Sequence, residues 1–319
     1  MKIKKSISVL LAAVLSVTLL LGTAMVANAT DYEESFIKRI PLKDKYTKAI
    51  DEAGTLETVT YTTHGYAIDG EEETEVEKVM QVYLPYGYDP ANQYNVVYLM
   101  HGGGESEYYW LNDVPVYEGT KAMGKTTRGM IDNMQADGKI DPTIFVAPTT
   151  NTEVNGKRAE GFDGFAEELR KDIIPYIESH YSTYAAGDVS EENLKATRDH
   201  RAFCGFSMGS MCTISAAMMK TLDLISYFGA FSGAKADINT FKPAIESFGV
   251  DVKYMYNGNG TADIAHDEHE EFVQDILEQM PETFQDGVNF AWIDFKGGSH
   301  AYNCWIVDLY NCMLVFFKK

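Results

Sequence analysis

From Arg201 to Met219 the chain reads RAFCGFSMGSMCTISAAMM: a short apolar run, one serine held between Gly205 and Gly209, then small residues at helical spacing. An apolar run of this length fits a buried strand, and the small-residue stretch fits a helix packed closely against it. A strand that passes directly into a helix through Gly-x-Ser-x-Gly forces a sharp, strained turn. The flanking glycines relieve its clashes, and the serine side chain projects above the sheet. A strand passing directly into a helix is the context that a nucleophile elbow requires.

The remainder of the chain supplies that sheet. Thr58–Tyr66 and Glu77–Leu84 read as antiparallel strands joined through the acidic turn DGEEETE, and NVVYLMH (Asn95–His101) is a buried strand that ends in a glycine loop. A helix is expected over Gly119–Ala136, a strand over Thr143–Thr149, and a helix over Gly164–Tyr181 with a local kink at Pro175. After the serine come strands at Ser226–Phe231, Asp251–Gly258 and Asn289–Phe295, with a helix over Ile264–Gln279 and a closing helix over Tyr302–Phe317. Strands alternating with helices predict an α/β chain with a mostly parallel central sheet and helices on both faces. The segment between Phe231 and Asp251 is too short for a large lid domain. In such sheets the ligand site lies at the carboxyl ends of the strands.

Ser207 is therefore a candidate nucleophile, and a nucleophilic serine needs a base, an acid and an oxyanion site. Of seven histidines, His300 in FKGGSHAYNCW stands just past the last strand, where the order Ser…Asp/Glu…His requires the base. Asp263 lies in the Gly/Asn-rich turn after the preceding strand and is the candidate acid, with Asp267 and Asp237 as fallbacks. The backbone N–H groups of Met208, after the nucleophile, and of Gly103, in the glycine loop HGGGES, are the expected oxyanion donors. That loop lacks the lysine and Ser/Thr of a phosphate-binding loop, and His101 is expected to shape it. His266, His269, Asp267 and Glu270 read as a solvated polar helix face. No metal and no cofactor is expected.

The first residues, MKIKKSISVLLAAVLSVTLLLGTAMVANAT, have a lysine-rich start, an apolar run and the small-residue site Ala27-Asn28-Ala29. They read as a signal peptide over residues 1–29, leaving residues 30–319 as a single secreted domain. A net charge of −20, more negative once the leader lysines are gone, would repel nucleic acid and anionic membranes, so neutral substrates fit better. Cys204, Cys212, Cys304 and Cys312 match no zinc spacing and read as buried thiols.

Taken together, YLPYGYDP, NVVYLMHGGGESEYYW, IIPYIESHYST, GFSMGS, NGTADIAH and GGSHAYNCW resemble the secreted esterase family that includes bacterial feruloyl esterases and acetylxylan esterases, carbohydrate esterases of the esterase D-like group. The resemblance runs from about Thr58 to the end of the chain. It implies an α/β-hydrolase fold and a metal-free triad of Ser207, Asp263 and His300, with Gly103 and Met208 as oxyanion donors. It also implies hydrolysis of feruloyl esters on plant cell-wall xylan through an acyl-enzyme on Ser207. Acetylxylan esterase is the alternative, and acyltransferase or siderophore-esterase chemistry further ones. Among the aromatics flanking the motif loops, Tyr109, Trp110 and Tyr302 are the expected substrate contacts, stacking on a ferulate ring or a sugar.

Overall fold

A computed structural model describes residues 39–113, 123–234 and 236–318. The leader read at residues 1–29 lies outside the described residues, as does the start of the helix expected from Gly119. Ten strands follow in chain order: β1 (Thr55–His64), β2 (Glu75–Leu84), β3 (Asn95–Met100), β4 (Thr143–Ala147), β5 (Glu153–Val154), β6 (Lys157–Arg158), β7 (Arg201–Phe206), β8 (Tyr227–Phe231), β9 (Tyr254–Gly260) and β10 (Phe290–Phe295). Eight of them form one sheet in the order β1-β2-β4-β3-β7-β8-β9-β10, and β5 pairs with β6 in a separate hairpin.

β1 and β2 pair antiparallel from Thr55↔Leu84 to His64↔Glu75, and β2 is antiparallel to β4. Every pair from β4 to β10 is parallel. β3, β4 and β7 are buried along their whole length, as expected of strands covered on both faces. Side chains alternate across the sheet: Val96, Tyr98 and Met100 enter one core cluster with the helices Asp163–Glu168, Ile174–His180, Ile238–Ser247 and His266–Gln279. The intervening Val97 and Leu99 are equally buried, on the face covered by the helices Gly124–Ala136 and Tyr302–Met313. The chain leaves β3 toward β4 on one side and returns to β7 on the other. The order thus reverses between β3 and β7, and a crevice opens at their carboxyl ends.

Three local departures from the expected elements have physical reasons. The helix expected over Gly164–Tyr181 is two α segments joined by a π-helical stretch, Leu169–Ile173. Pro175 falls in the first turn after that stretch, where a missing N–H is tolerated. The helix after Ser207 likewise passes from Met208–Cys212 into a π-helical stretch, Thr213–Met218. Finally, the β5–β6 hairpin turns on Asn155 and Gly156, both with positive φ, as a two-residue hairpin turn requires.

Two ion pairs are buried within the scaffold. Arg201, at the start of β7, meets Glu178 at 2.8 Å, and Lys78 of β2 meets Glu168 at 2.8 Å. The Lys78 ammonium also donates to the Thr149 carbonyl at 2.8 Å, just beyond β4. Thr149 in turn bonds His101 Nε2 through its hydroxyl at 2.8 Å, which ties the glycine loop to the sheet. Burial pushes the His101 imidazole down to about 4, so at neutral pH it is an uncharged hydrogen-bonding post. No described helix is long and apolar enough to cross a membrane.

Candidate active site

Ser207 directly follows β7 with φ 54° and ψ −121°, a backbone conformation rare for a residue with a side chain. The two glycines of the motif each have a specific steric duty. A Cβ at Gly209 would lie 2.5 Å from the His101 carbonyl and 2.6 Å from that of Met100, and one at Gly205 would overlap the backbone of Gly209. The turn is held from outside as well, since Ser207 N–H donates to the Phe231 carbonyl at 2.8 Å.

His300 comes off the loop after β10. Its Nε2 is 2.9 Å from Ser207 Oγ, and its Nδ1 is 2.8 Å from Asp263 Oδ1. Asp263 lies in the loop after β9 with its carboxyl fully buried, and Oδ1 also accepts the Ala265 N–H at 2.8 Å. Burial alone would raise this carboxyl. The bonds from His300 and Ala265 oppose that, and the carboxyl is held below the ordinary aspartate value. The two fallback acids have other employment. Asp237 caps the helix Ile238–Ser247 through the Asn239 N–H, and Asp267 is fully exposed beside His266.

The glycine loop approaches from β3. Gly103 lies against Met208, with an ideal Cβ 3.9 Å from that of Met208, so the two expected oxyanion donors are neighbours. The preceding amide, that of Gly102, is taken by Glu105 Oε2 at 2.9 Å. Burial pushes the Glu105 carboxyl up to about 7, against the pull of the Gly102 amide and of His300. The sequence reading gave Glu105 no part, although it stands inside HGGGES. An acid two residues beyond the expected oxyanion donor Gly103 was the available signal.

The aromatic residues separate into wall and lining. Tyr109 and Tyr302 are half-buried, with ring centroids 6.3 Å apart, and the Tyr302 hydroxyl is 2.8 Å from Thr127 Oγ1. Trp110 is a correction: it is 0% exposed, donates its indole N–H to the Met100 carbonyl at 2.9 Å, and packs edge-on to Phe206. It packs against the Tyr109 and Phe206 rings from the core side and offers no face to a substrate. Trp305, which the sequence reading left without a role, stands edge-on to the His300 imidazole at 5.1 Å and stacks on Phe206 at 4.0 Å.

The polar face expected around His266 and His269 is split by burial. His269 is fully buried, with Nδ1 accepting the Gly233 N–H and Nε2 meeting Asn257 Oδ1, each at 3.2 Å. His266, Glu270 and Asp294 do converge near the surface, with ligand atoms within 4.8 Å of one another. His266 spends its ring nitrogens on Asp267 and Asp294, at 3.2 and 3.1 Å. All four cysteines are buried free thiols, with Cys204 Sγ 3.8 Å from Cys312 Sγ.

A serine, an imidazole and a carboxylate in hydrogen-bonded series, with the backbone of Gly103 and Met208 close by, form an arrangement suited to acyl transfer. The chain matches the Esterase family model over residues 72–309. Endo-1,4-beta-xylanase Y of Acetivibrio thermocellus is 31% identical over 301 residues, covering 90% of this chain and 25% of that protein. Endo-1,4-beta-xylanase/feruloyl esterase of Xylanibacter ruminicola is 31% identical over 234 residues, covering 69% of this chain and 27% of its own length. The chain thus spans about a quarter of the length of these curated relatives. Among solved structures, a mutant of the feruloyl esterase module from Clostridium thermocellum, complexed with sinapinate, superposes with a TM-score of 0.73 at 29% identity. That match covers 88% of this chain and 94% of the module. A ferulic acid esterase from the anaerobic fungus Anaeromyces mucronatus shares the fold at a TM-score of 0.66 and 23% identity, covering 88% of this chain and 98% of its own. With this match over most of its length, on an α/β-hydrolase scaffold, the chain belongs to the Esterase family.

Proposed function

We propose that this protein is a secreted serine esterase that releases feruloyl and related hydroxycinnamoyl groups from xylan, with Ser207 as nucleophile, His300 as general base and acid, and Asp263 as the orienting carboxylate. The observation that carries the chemistry is the unbroken series Ser207 Oγ–His300–Asp263, at 2.9 and 2.8 Å. The acyl group is supported by the likeness, at 29% identity over nearly the whole domain, to a feruloyl esterase module complexed with sinapinate. The relatives named as xylanases support xylan as the carrier, and the leader-like residues 1–29 support secretion.

In this mechanism His300 Nε2 takes the Ser207 proton as Oγ attacks the ester carbonyl. The carbonyl oxygen, now negative, is received by the Gly103 and Met208 amides. As the tetrahedral centre collapses, the bond to the sugar oxygen breaks, and His300 returns its proton to that leaving alcohol. A water, deprotonated by the same imidazole, then attacks the acyl-enzyme and frees the carboxylic acid and Ser207. Asp263 accepts the Nδ1 proton in a hydrogen bond throughout, which fixes the tautomer and stabilises the imidazolium without being protonated itself. Tyr109 and Tyr302 are the aromatics left to line the acyl or sugar subsite.

Acetylxylan esterase is the second reading, favoured by the withdrawal of Trp110 into the core, which removes one aromatic surface from the site. The deciding experiment compares initial rates on methyl ferulate and on acetylated xylan, with Ser207→Ala as the blank. Ferulate turnover well above acetate release supports the feruloyl reading. Acetate release with no ferulate turnover replaces it.

A further inference from the structure

Behind the catalytic carboxylate, Asp263 Oδ2 is buried without a hydrogen bond of normal geometry. A buried carboxylate oxygen left in this state costs free energy, so its surroundings should show what satisfies it. Ser232 is the hydroxyl that bears on Asp263. It is 1% exposed, it directly follows β8, and it holds φ at 55°, an uncommon conformation for a residue with a side chain. Its backbone is tied on both sides to the machinery. Ser232 N–H donates to the Gly258 carbonyl of β9, the strand that leads to Asp263, at 2.8 Å. The preceding residue, Phe231, accepts the Ser207 N–H at 2.8 Å.

The direction of the Ser232 hydroxyl is dictated by Trp305. The indole N–H donates to Ser232 Oγ at 2.7 Å, and an indole nitrogen is a donor only. The serine oxygen is therefore the acceptor in that bond, and its own proton is free for another acceptor. Among the described residues that hydroxyl makes no other hydrogen bond, and the buried Asp263 oxygen lacks a donor.

We propose that Trp305 and Ser232 are positioning residues that extend the catalytic series, with the Trp305 N–H orienting the Ser232 hydroxyl and that hydroxyl donating to Asp263 Oδ2. Trp305 then acts twice, since the same indole stands edge-on to the His300 ring at 5.1 Å. One side chain restrains the imidazole by contact and its carboxylate partner through the serine. The inference rests on the assignment of Ser207, Asp263 and His300 as the triad.

The test is a double-mutant cycle on the full chain with p-nitrophenyl acetate, an activated ester that makes little demand on the acyl subsite. Its variants are Trp305→Phe, which keeps the ring and removes the N–H, Ser232→Gly, which removes the hydroxyl while accepting the backbone conformation, and the pair combined. Each single variant should lower kcat about tenfold, the scale of a lost hydrogen bond to a charged group, with KM within about twofold. The double variant should lose no more than Ser232→Gly, because without the serine the indole has nothing to orient. Multiplying losses in the double variant, or Trp305→Phe at wild-type kcat, would overturn the proposal. So would a loss confined to KM. Ser207→Ala serves as the separate control: if that variant keeps its activity, the triad reading itself fails, whereas an inactive Ser207→Ala beside a wild-type Trp305→Phe rejects only the extended series.

Discussion

The His300 imidazole and the Ser207 hydroxyl meet at 2.9 Å although 93 residues separate them in the chain. Ser207 follows the central strand β7 and His300 follows the edge strand β10, so their meeting depends on β8 and β9 being laid between them in register. Asp263, from the loop after β9, closes the gap from the inside.

Asp263→Asn should lower kcat by about 100- to 10,000-fold, because the amide lets His300 settle in the tautomer that cannot accept the serine proton. KM should change little, since the acid touches no substrate. Steady-state kinetics on methyl ferulate or p-nitrophenyl acetate checks this, and a variant within threefold of wild type would remove Asp263 from the triad.

Glu105 accepts the Gly102 amide beside the proposed oxyanion donor Gly103, so Glu105→Ala should lower kcat about tenfold while Glu105→Gln, which keeps an acceptor oxygen, retains most of the rate. The carboxyl is pushed up to about 7 by burial, so it gains its charge near neutrality, within reach of His300. The kcat profiles of wild type and Glu105→Gln should therefore diverge above about pH 7 and coincide below about pH 6. Identical profiles across the range would mean that this charge does not reach the reaction.

A methyl group at position 209 would press on the carbonyls of Met100 and His101 at 2.6 and 2.5 Å. Backbone cannot yield as a flexible side chain does, so Gly209→Ala should cost about 3 kcal/mol or more, despite the better helix propensity of alanine. Denaturant unfolding of the purified variant measures it. A loss below about 1 kcal/mol would show that the nucleophile turn has more room than its contacts indicate.

Asp308 sits in the closing helix, fully buried, with Tyr256 OH donating to Oδ1 at 3.2 Å. Burial raises its carboxyl to about 7, against the pull of Arg39 and Tyr256. Between about 4 and 7 the folded state therefore binds more protons at this site than the unfolded state does. Stability from this group is fully present at the acid end and falls as pH rises through the window. Asp308→Asn, which stays neutral, should narrow the loss in Tm between pH 5 and pH 8, with a gain on the order of 3 kcal/mol at pH 8. An unchanged pH dependence of Tm would place the charge cost elsewhere.

Most of the fold was legible because its signals are local. The alternation of β1 and β2, the apolar runs of β3 and β4, and the Gly-x-Ser-x-Gly turn each carry their own pattern. Ser207, Asp263 and His300 could be singled out because strand-to-helix order fixes which loops share one end of a parallel sheet. Burial was the harder quantity. Trp110 and Tyr109 are sequence neighbours flanked by the same loop, yet one is sealed against the Met100 carbonyl and the other half-open. Nothing local distinguishes them. His266 and His269 part in the same way, because the helix turns one outward and the other under Gly233. Ser232 and Trp305 were invisible for a different reason. Their relation to Asp263 exists only once three strand ends are assembled, and neither belongs to a spacing that marks it in advance.

The φ of 54° at Ser207 has a consequence for how this protein can change. Glycine would sit in that conformation without strain, so Ser207→Gly removes a local cost of about 1 kcal/mol from the folded state, partly offset by the freer unfolded chain, while deleting the nucleophile. At this one residue durability and turnover pull in opposite directions, and screening variants for heat resistance alone would drift toward an inert protein.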